Sequence, residues 1–258
     1  MSDNEGNAIV VTGAGSGIGK ATVNRLANDG ANVVAVDVTE SSLEWTKEFD
    51  SVTPLAGDVT DPNTNEKMVA LAVQNYGGLN AAVLNAGVVA QGDIVRGSMS
   101  DYDRVMDVNV RGVVLGLKSA VAAMASTGGS IVVTGSVSGL RGDSGLWAYN
   151  ASKGAVVNLA RAAALDLGHL NIRVNAVCPG PINTALTKDT RGTEMGDAME
   201  ARLPLGRFGE PEEVAAVIAF LTSTQSSFVT GAAIPVDGGV TAGTGQWATY
   251  SGRKRGYL

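Results

Sequence analysis

Short runs of apolar residues alternate with longer segments of helical periodicity along most of the chain. This alternation is typical of β-α-β units and predicts a mostly parallel sheet. The predicted strands are residues 9–12, 32–37, 52–58, 79–85, 129–136, 173–178 and 232–236. The predicted helices are residues 18–29, 41–49, 62–76, 100–125, 149–167 and 211–224. The pattern predicts an α/β fold: a single doubly wound sheet of about seven parallel strands with helices on both faces.

No change in composition divides the chain, so we interpret residues 1–240 as one domain. Residues 183–209 are rich in Thr, Gly, Met and charged residues and lack clear periodicity. A loop of this size in a compact domain typically covers a functional site. We therefore expect residues 183–209 to form a lid, and we interpret residues 241–258 as a C-terminal extension.

Composition narrows the class of protein further. Glycine accounts for 34 of 258 residues, about twice its average share, without the repeat of collagen. The net charge of −6 disfavours a nucleic acid partner. The single cysteine excludes an intrachain disulfide and is typical of a reducing compartment. Because no signal peptide, membrane-length apolar run or metal-ligand spacing is visible, we expect a soluble cytoplasmic protein that binds neither a membrane nor a metal.

A glycine-rich turn, TGAGSGIG at residues 12–19, follows the first predicted strand and opens the first predicted helix. Such a turn lets the main chain approach a pyrophosphate, and the helix N-terminus offers N–H groups to that anion. The phosphate-binding pattern G-x-x-x-x-G-K followed by Ser or Thr fails at Ala14 and Ala21, and the common G-x-G-x-x-G fails at Ile18. The spacing that does fit has glycines at Gly13, Gly17 and Gly19.

Asp37 ends the second predicted strand, 18 residues after Gly19. Dinucleotide-binding folds carry an acidic residue about 20 residues after the glycine-rich turn, where it accepts hydrogen bonds from the adenosine ribose. A carboxylate there repels a 2′-phosphate, and Val38 offers no compensating cation. Asp37 therefore favours NAD over NADP, although alone it is compatible with a surface residue at the end of a strand.

Tyr149 and Lys153 are four residues apart on one face of a predicted helix. A nearby ammonium group favours the phenolate form of tyrosine, and such a couple can exchange a proton with an alcohol. Ser136 lies thirteen residues before Tyr149, at the carboxyl end of the fifth predicted strand. Ligands of open α/β sheets gather at that edge, so we expect these three side chains to meet there.

Taken together, these motifs resemble the short-chain dehydrogenase/reductase family over about residues 9–239. The resemblance implies a Rossmann-type domain that transfers a hydride between a nicotinamide dinucleotide and a secondary alcohol or ketone, and Asp37 favours NAD(H) as that dinucleotide. It implies that Tyr149 exchanges the substrate proton and that Ser136 hydrogen-bonds the substrate oxygen. It also implies that Lys153 holds the nicotinamide ribose and that Asn109 holds a water connecting the lysine to solvent.

The same resemblance implies the cofactor contacts and a homotetramer. The implied tetramer is built through the helices at 100–125 and 149–167 and through the last predicted helix and strand. The implied contacts span the whole carboxyl edge of the sheet. They are Gly13, Ser16, Gly17, Ile18, Gly19, Asp37, Asp58, Val59, Asn85, Ala86, Gly87, Tyr149, Lys153, Pro179, Gly180, Ile182 and Thr184.

Apolar residues near these motifs suggest a small alicyclic or aryl alcohol or ketone as substrate. The substrate-contact candidates are Ser138, Leu140, Leu146, Trp147 and, in the predicted lid, Leu186. The apolar ones could equally pack beneath the lid or at a subunit interface. Two alternatives stay open: a reductase of acyl-carrier-protein substrates, which Asp37 and the net negative charge disfavour, and a catalytically idle NAD-binding sensor, which predicts a damaged catalytic set.

Overall fold

A single parallel sheet of seven strands organises the computed structural model, which describes residues 4–244. The strands are β1 (Ala8–Thr12), β2 (Asn32–Asp37), β3 (Val52–Ala56), β4 (Ala81–Leu84), β5 (Gly129–Thr134), β6 (Ile172–Pro179) and β7 (Ala233–Val236). Their order across the sheet is β3-β2-β1-β4-β5-β6-β7, and each neighbouring pair is parallel. The predicted doubly wound sheet is confirmed.

Seven α-helices lie within the described residues. They are α1 (Gly17–Asn28), α2 (Pro62–Tyr76), α3 (Met99–Met106), α4 (Gly112–Met124), α5 (Trp147–Leu167), α6 (Glu194–Glu200) and α7 (Pro211–Thr222). Helices α2, α4 and α5 pack on one face of the sheet, and α1 and α7 pack on the other. Both faces are covered, as the continuous apolar runs of the strands require.

The alternation of side chains along β1 shows how the sheet separates two cores. Ile9 and Val11 join the core beneath α1 and α7, whereas Val10 joins the core beneath α2, α4 and α5. Every residue of β1, β4 and the last five of β5 is buried. The centre of the sheet is therefore fixed from both sides, which gives the loops at its carboxyl edge a rigid base.

Each edge strand contains a proline. Pro54 lies in β3 and Pro235 lies in β7, the two outermost strands. Proline has no N–H to donate to a ladder and is found in sheets almost only at edges. The two prolines therefore disfavour the addition of a further strand at either edge of the sheet.

The structure divides the helix predicted over residues 100–125. Helix α3 ends at Met106, a π-helical turn spans Asp107–Arg111, and α4 follows. The helix predicted over 41–49 is a 3₁₀ segment, Ser41–Glu48. Helix α5 begins two residues before the predicted start, and the predicted lid contains α6.

The bounds of the predicted domain and lid stay predictions. Most of the predicted C-terminal extension, 241–258, lies outside the described residues 4–244. Within that described part, no helix is both long and apolar enough to cross a membrane. The same residues hold no group of three or more His, Cys, Asp or Glu side chains arranged for a metal ion.

Candidate active site

A crevice opens where the sheet order reverses, between the carboxyl ends of β1 and β4. Asn85 joins the two ends: its N–H donates to Thr12 Oγ1 at 2.9 Å, and its Nδ2 donates to the Thr12 main-chain oxygen at 3.0 Å. Thr134 Oγ1, at the end of β5, donates to Asn85 Oδ1 at 3.0 Å. The Asn85 side chain thus holds three strand ends together and supports the walls of the crevice.

The glycine-rich turn needs glycine because other main-chain atoms crowd it. Gly13 has φ +67°, and a Cβ there would lie 2.9 Å from Ala86 Cα. A Cβ on Gly19 would lie 1.9 Å from the Gly13 oxygen. The Ser16 side chain makes no capping hydrogen bond to α1, so the first N–H groups of that helix remain available to an anion. The turn therefore fits the pyrophosphate of a dinucleotide.

Asp37 closes the other side of this turn at the end of β2. Its Oδ2 accepts a hydrogen bond of 2.8 Å from Gly15 N–H, and its Oδ1 accepts one of 2.8 Å from Val38 N–H. Each carboxylate oxygen can accept further hydrogen bonds. Val38 is 64% exposed and carries no charge, so the residue that follows Asp37 adds no cation beside its carboxylate.

The other predicted cofactor residues approach the crevice from β3 and β6. Asp58 Oδ1 accepts a hydrogen bond of 2.8 Å from Thr60 N–H, and Val59 packs against Gly112 at the start of α4. After β6, the chain brings Thr184 to the glycine-rich turn, where a Cβ on Gly17 would lie 3.1 Å from Thr184 Cγ2. Residues 179–184 therefore face the turn across the crevice.

Lys153 and Asn109 meet beneath Gly87. A Cβ on Gly87 would lie 3.3 Å from both Lys153 Nζ and Asn109 Oδ1. Lys153 is 4% exposed, and its Nζ donates to the Thr134 main-chain oxygen at 2.8 Å. Glycine at position 87 thus leaves room for both polar side chains at the end of β4.

The π-helical turn presents Asn109 to the crevice. Asn109 Oδ1 accepts from Val88 N–H at 2.8 Å, and its Nδ2 donates to the Val88 oxygen at 2.9 Å and to Ser152 Oγ at 3.0 Å. Single π-helical turns occur often at functional sites. Here the extra residue of the turn places the Asn109 amide where it hydrogen-bonds both the N–H and the C=O of Val88, next to Gly87.

Tyr149 lies in the first turn of α5 and reaches the edge of the crevice together with Ser136 and Lys153. Ser136 lies two residues after the end of β5, and its side chain hydrogen-bonds Tyr149. Lys153 Nζ lies 5.6 Å from the centre of the Tyr149 ring. The three side chains expected to meet at the carboxyl edge are therefore neighbours in the structure.

Burial controls the ionisation of this pair. It raises the pKa of Tyr149; the hydrogen bond from Ser136 lowers that pKa, and the charge of Asp143 raises it further. Burial also lowers the pKa of Lys153 to about 8. The pKa of Tyr149 thus shifts in the direction opposite to the one expected from a nearby ammonium, because burial, the largest cause, disfavours the charged phenolate.

The predicted substrate residues occupy different surroundings. Ser138 is buried and donates to Asp143 at 2.5 Å, whereas Leu140 packs against the core beneath α5. Trp147 stacks on Tyr102, with ring centres 5.3 Å apart. Leu146 bridges to Gly92, and Leu186 is 66% exposed. Leu140 thus supports the wall of the site from behind.

The two ends of the predicted lid are held together below it. Ile182 and Gly209 form a parallel bridge, in which Gly209 N–H donates to the Pro181 oxygen at 3.0 Å and Asn183 N–H donates to the Gly209 oxygen at 2.8 Å. Near the end of the lid, Leu203 is buried. The two ends of the predicted lid are therefore joined by main-chain hydrogen bonds beside the crevice.

Two residues near the site were absent from the sequence predictions. Tyr102 carries no motif, and only its contact with Trp147 links it to the crevice. Asp143 lies in the loop between Ser136 and Tyr149, and its hydrogen bond to Ser138 depends on how that loop folds back. The position of Asp143, an acidic residue between two motif residues, was a usable signal.

The fold and the site define an α/β oxidoreductase of the dinucleotide-binding type. The family model described as Enoyl-(Acyl carrier protein) reductase matches residues 13–241. The meso-2,3-butanediol dehydrogenase of Serratia marcescens is 42% identical over 94% of this chain and 97% of its own length. The 3-oxoacyl-(acyl-carrier-protein) reductase of Thermotoga maritima is 42% identical over 92% and 98%.

Two further comparisons agree. The cyclohexanol dehydrogenase of an Acinetobacter strain is 38% identical over 94% of this chain and 98% of its own length. A crystal structure of a short-chain type dehydrogenase/reductase from Mycobacterium marinum has a TM-score of 0.89 and 34% identity, covering 93% of this chain and 98% of that one. The chain belongs to the short-chain dehydrogenase/reductase family and is an oxidoreductase that acts on CH–OH groups.

Proposed function

We propose that this enzyme interconverts a small, uncharged secondary alcohol and its ketone with NAD(H). The observation that carries the proposal is the meeting of Tyr149, Ser136 and Lys153 beside a glycine-rich turn that fits a dinucleotide. A phenol, a hydroxyl and a buried ammonium at one edge of a crevice suit proton exchange with a substrate oxygen.

In the proposed oxidation, the Tyr149 phenolate removes the hydroxyl proton while the carbon-bound hydrogen leaves as hydride. The nicotinamide, when bound, supplies the hydride acceptor. Ser136 donates to the substrate oxygen and stabilises its developing charge. In reduction, the Tyr149 phenol returns a proton to that oxygen, so the atoms and charges balance in both directions.

Lys153 and Asn109 complete the proposed proton path. Lys153 holds the nicotinamide ribose, and its ammonium favours the Tyr149 phenolate when the site is loaded. Asn109 holds a water that leads from Lys153 towards solvent. Support comes from the position of both side chains beneath Gly87 and from the pKa of about 8 for Lys153, which lets it exchange protons near neutral pH.

A panel of secondary alcohols and ketones, assayed with wild type and Tyr149→Phe, tests this proposal. We expect Tyr149→Phe to lose at least about 10²-fold in turnover, because the proton donor is gone, while its dinucleotide Kd stays within about threefold. Tyr76, the last residue of α2, has a hydroxyl that hydrogen-bonds Thr53 in β3, and Tyr76→Phe serves as the matched control. Full turnover by Tyr149→Phe, or none by wild type on the whole panel, would contradict the proposal.

NAD is the proposed cofactor because Asp37 presents a carboxylate where NADP carries a phosphate. We expect Asp37→Ala to lower the ratio of kcat/KM for NAD to that for NADP by about tenfold or more, since it removes both a ribose acceptor and a repulsive charge. Glu40→Gln, an exposed acidic residue nearby, is the control. A wild-type preference for NADP would overturn the assignment.

For the substrate, we propose an apolar alicyclic or aryl alcohol or a short diol. The exposed apolar side chains of the lid, Leu186 and Met195, support this class, as do the butanediol and cyclohexanol dehydrogenases among the relatives. The Thermotoga maritima relative favours a second candidate, reduction of 3-oxoacyl groups on a carrier protein. A net charge of −6 opposes binding of an acidic carrier, and kinetics with a 3-oxoacyl thioester would distinguish the two.

We also propose a cytoplasmic homotetramer. The exposed apolar side chains Leu165, on α5, and Phe228, just before β7, support contacts between copies. The single buried cysteine is compatible with a reducing compartment. A sensor that binds NAD without turnover remains the alternative that an inactive wild type would favour.

A further inference from the structure

The loop between Ser136 and Tyr149 carries a carboxylate that the proposed mechanism does not use. One oxygen of Asp143 accepts a hydrogen bond of 2.5 Å from the Ser138 hydroxyl. The main-chain oxygen of Asp143 accepts one of 2.8 Å from Asn150 Nδ2. Asp143 is therefore held by Ser138, two residues after Ser136, and by Asn150, which follows Tyr149.

A second set of contacts fixes the same loop to the opposite wall of the site. Gly92 N–H donates to the Gly145 oxygen at 2.9 Å, and Gly92 and Leu146 form a parallel bridge. On the catalytic side, Ser138 N–H donates to Ser136 Oγ at 3.1 Å. The loop that carries Asp143 is thus held at its start, middle and end.

The charge of Asp143 acts on the reacting group without a counter-ion. Asp143 is exposed at the rim, and in the chain from residue 4 to 244 no basic side chain forms an ion pair with it. Its negative charge raises the pKa of Tyr149. The field of this carboxylate therefore reaches the position of the proton that the substrate exchanges.

We propose that Asp143 is a specificity-determining residue that favours uncharged alcohols and ketones over substrates carrying a carboxylate, phosphate or sulfonate. The proposal rests on the proposed function and deepens it. An anionic substrate brings a second negative charge to a rim that already holds one, and like charges brought together select against that substrate. Exposure and salt screen the repulsion, so we expect an effect of several-fold.

Two variants separate the charge of Asp143 from its contacts. Asp143→Asn removes the charge but keeps an oxygen that can accept from the Ser138 hydroxyl. Ser138→Ala removes that hydrogen bond but keeps the charge. Asp50→Asn is the matched control, because Asp50 is an exposed acidic residue just before β3, at the opposite edge of the sheet.

The first measurement compares reduction of 4-oxocyclohexanecarboxylate with reduction of its uncharged amide. We expect Asp143→Asn to raise the kcat/KM ratio of anion to amide by about three- to tenfold. That gain should shrink in 0.5 M salt, and Asp50→Asn should leave the ratio at its wild-type value. An unchanged ratio in Asp143→Asn would overturn the proposal, as would an equal rise in Ser138→Ala, which would assign the effect to loop position.

The second measurement needs no turnover. Calorimetry with the dinucleotide-loaded enzyme gives the Kd of cyclohexanecarboxylate and of cyclohexanecarboxamide for wild type and Asp143→Asn. We expect the same three- to tenfold gain for the anion alone. If wild type reduces neither ketone, this class of substrate fails for the proposed function, whereas equal relative affinities in the two proteins reject the role of Asp143.

Discussion

Lys153 is a cation whose ionisation the fold opposes. It is almost fully buried, and burial holds its pKa at about 8 against an ordinary value of 10.5. Between these values the unfolded chain binds a proton that the folded protein does not, so stability rises with pH across this window. At neutral pH the folded enzyme therefore keeps the Lys153 ammonium charged at a cost in stability, and the proposed proton path uses this ammonium.

The cost of burying the Lys153 ammonium predicts that the difference in unfolding free energy between wild type and Lys153→Met depends on pH. The stability of wild type relative to the variant should rise by about 1.5 kcal/mol from pH 8 to pH 9.5. Chemical denaturation of both proteins without dinucleotide, at several pH values, measures it. Lys118→Met, which replaces an exposed lysine of α4, is the control, and parallel curves for wild type and Lys153→Met would contradict the prediction.

At the scale of elements, the π-helical turn is the junction that brings α3 and α4 to the crevice. Asn109, buried within it, makes three hydrogen bonds that tie the turn to Val88 and Ser152. Two of these satisfy the main chain of Val88, next to Gly87. The turn thus links the end of β4 to α5 as well as presenting a polar side chain.

Asn109→Ala should therefore lower stability as well as turnover. Loss of the amide leaves the Val88 N–H and C=O without their partner, and we expect a cost of about 1 to 3 kcal/mol. Thermal denaturation checks it, with Asn63→Ala, which truncates an exposed residue of α2, as the control. A melting temperature equal to that of wild type would show that water replaces these bonds.

Strands and motif residues were predictable at this scale, whereas junctions were not. The strands could be predicted from the sequence because their residues are buried on both faces and form continuous apolar runs. Gly13, Tyr149 and Lys153 could be predicted because turn geometry and helical spacing fix their neighbours. The π-helical turn depends on bonds from Asn109 to a distant strand end. Similarly, the contact of Asp143 depends on how its loop folds back, and local sequence encodes neither.

At the scale of the whole molecule, two exposed apolar residues lie outside the crevice. Leu165 is 85% exposed and Phe228 is fully exposed. Side chains of this size in water favour burial against a partner. We therefore expect the contacts between copies in the proposed assembly to include α5 and the chain before β7.

Replacing Phe228 by Asp should dissociate the proposed tetramer. Sedimentation velocity should show a smaller species than wild type at the same concentration, and the melting temperature of wild type should rise with protein concentration. Val73→Asp, which places the same charge on exposed α2, should leave assembly unchanged. A wild-type monomer at all concentrations would contradict the assembly.

The prolines of the two edge strands limit how copies of this protein can meet. A sheet extends between molecules only where an outer strand offers its N–H groups to a newcomer, and Pro54 in β3 and Pro235 in β7 each withhold one. Each missing donor disfavours the addition of a further strand at that edge of the sheet. The prolines thus favour association of copies through side-chain surfaces over cross-β stacking of intact molecules.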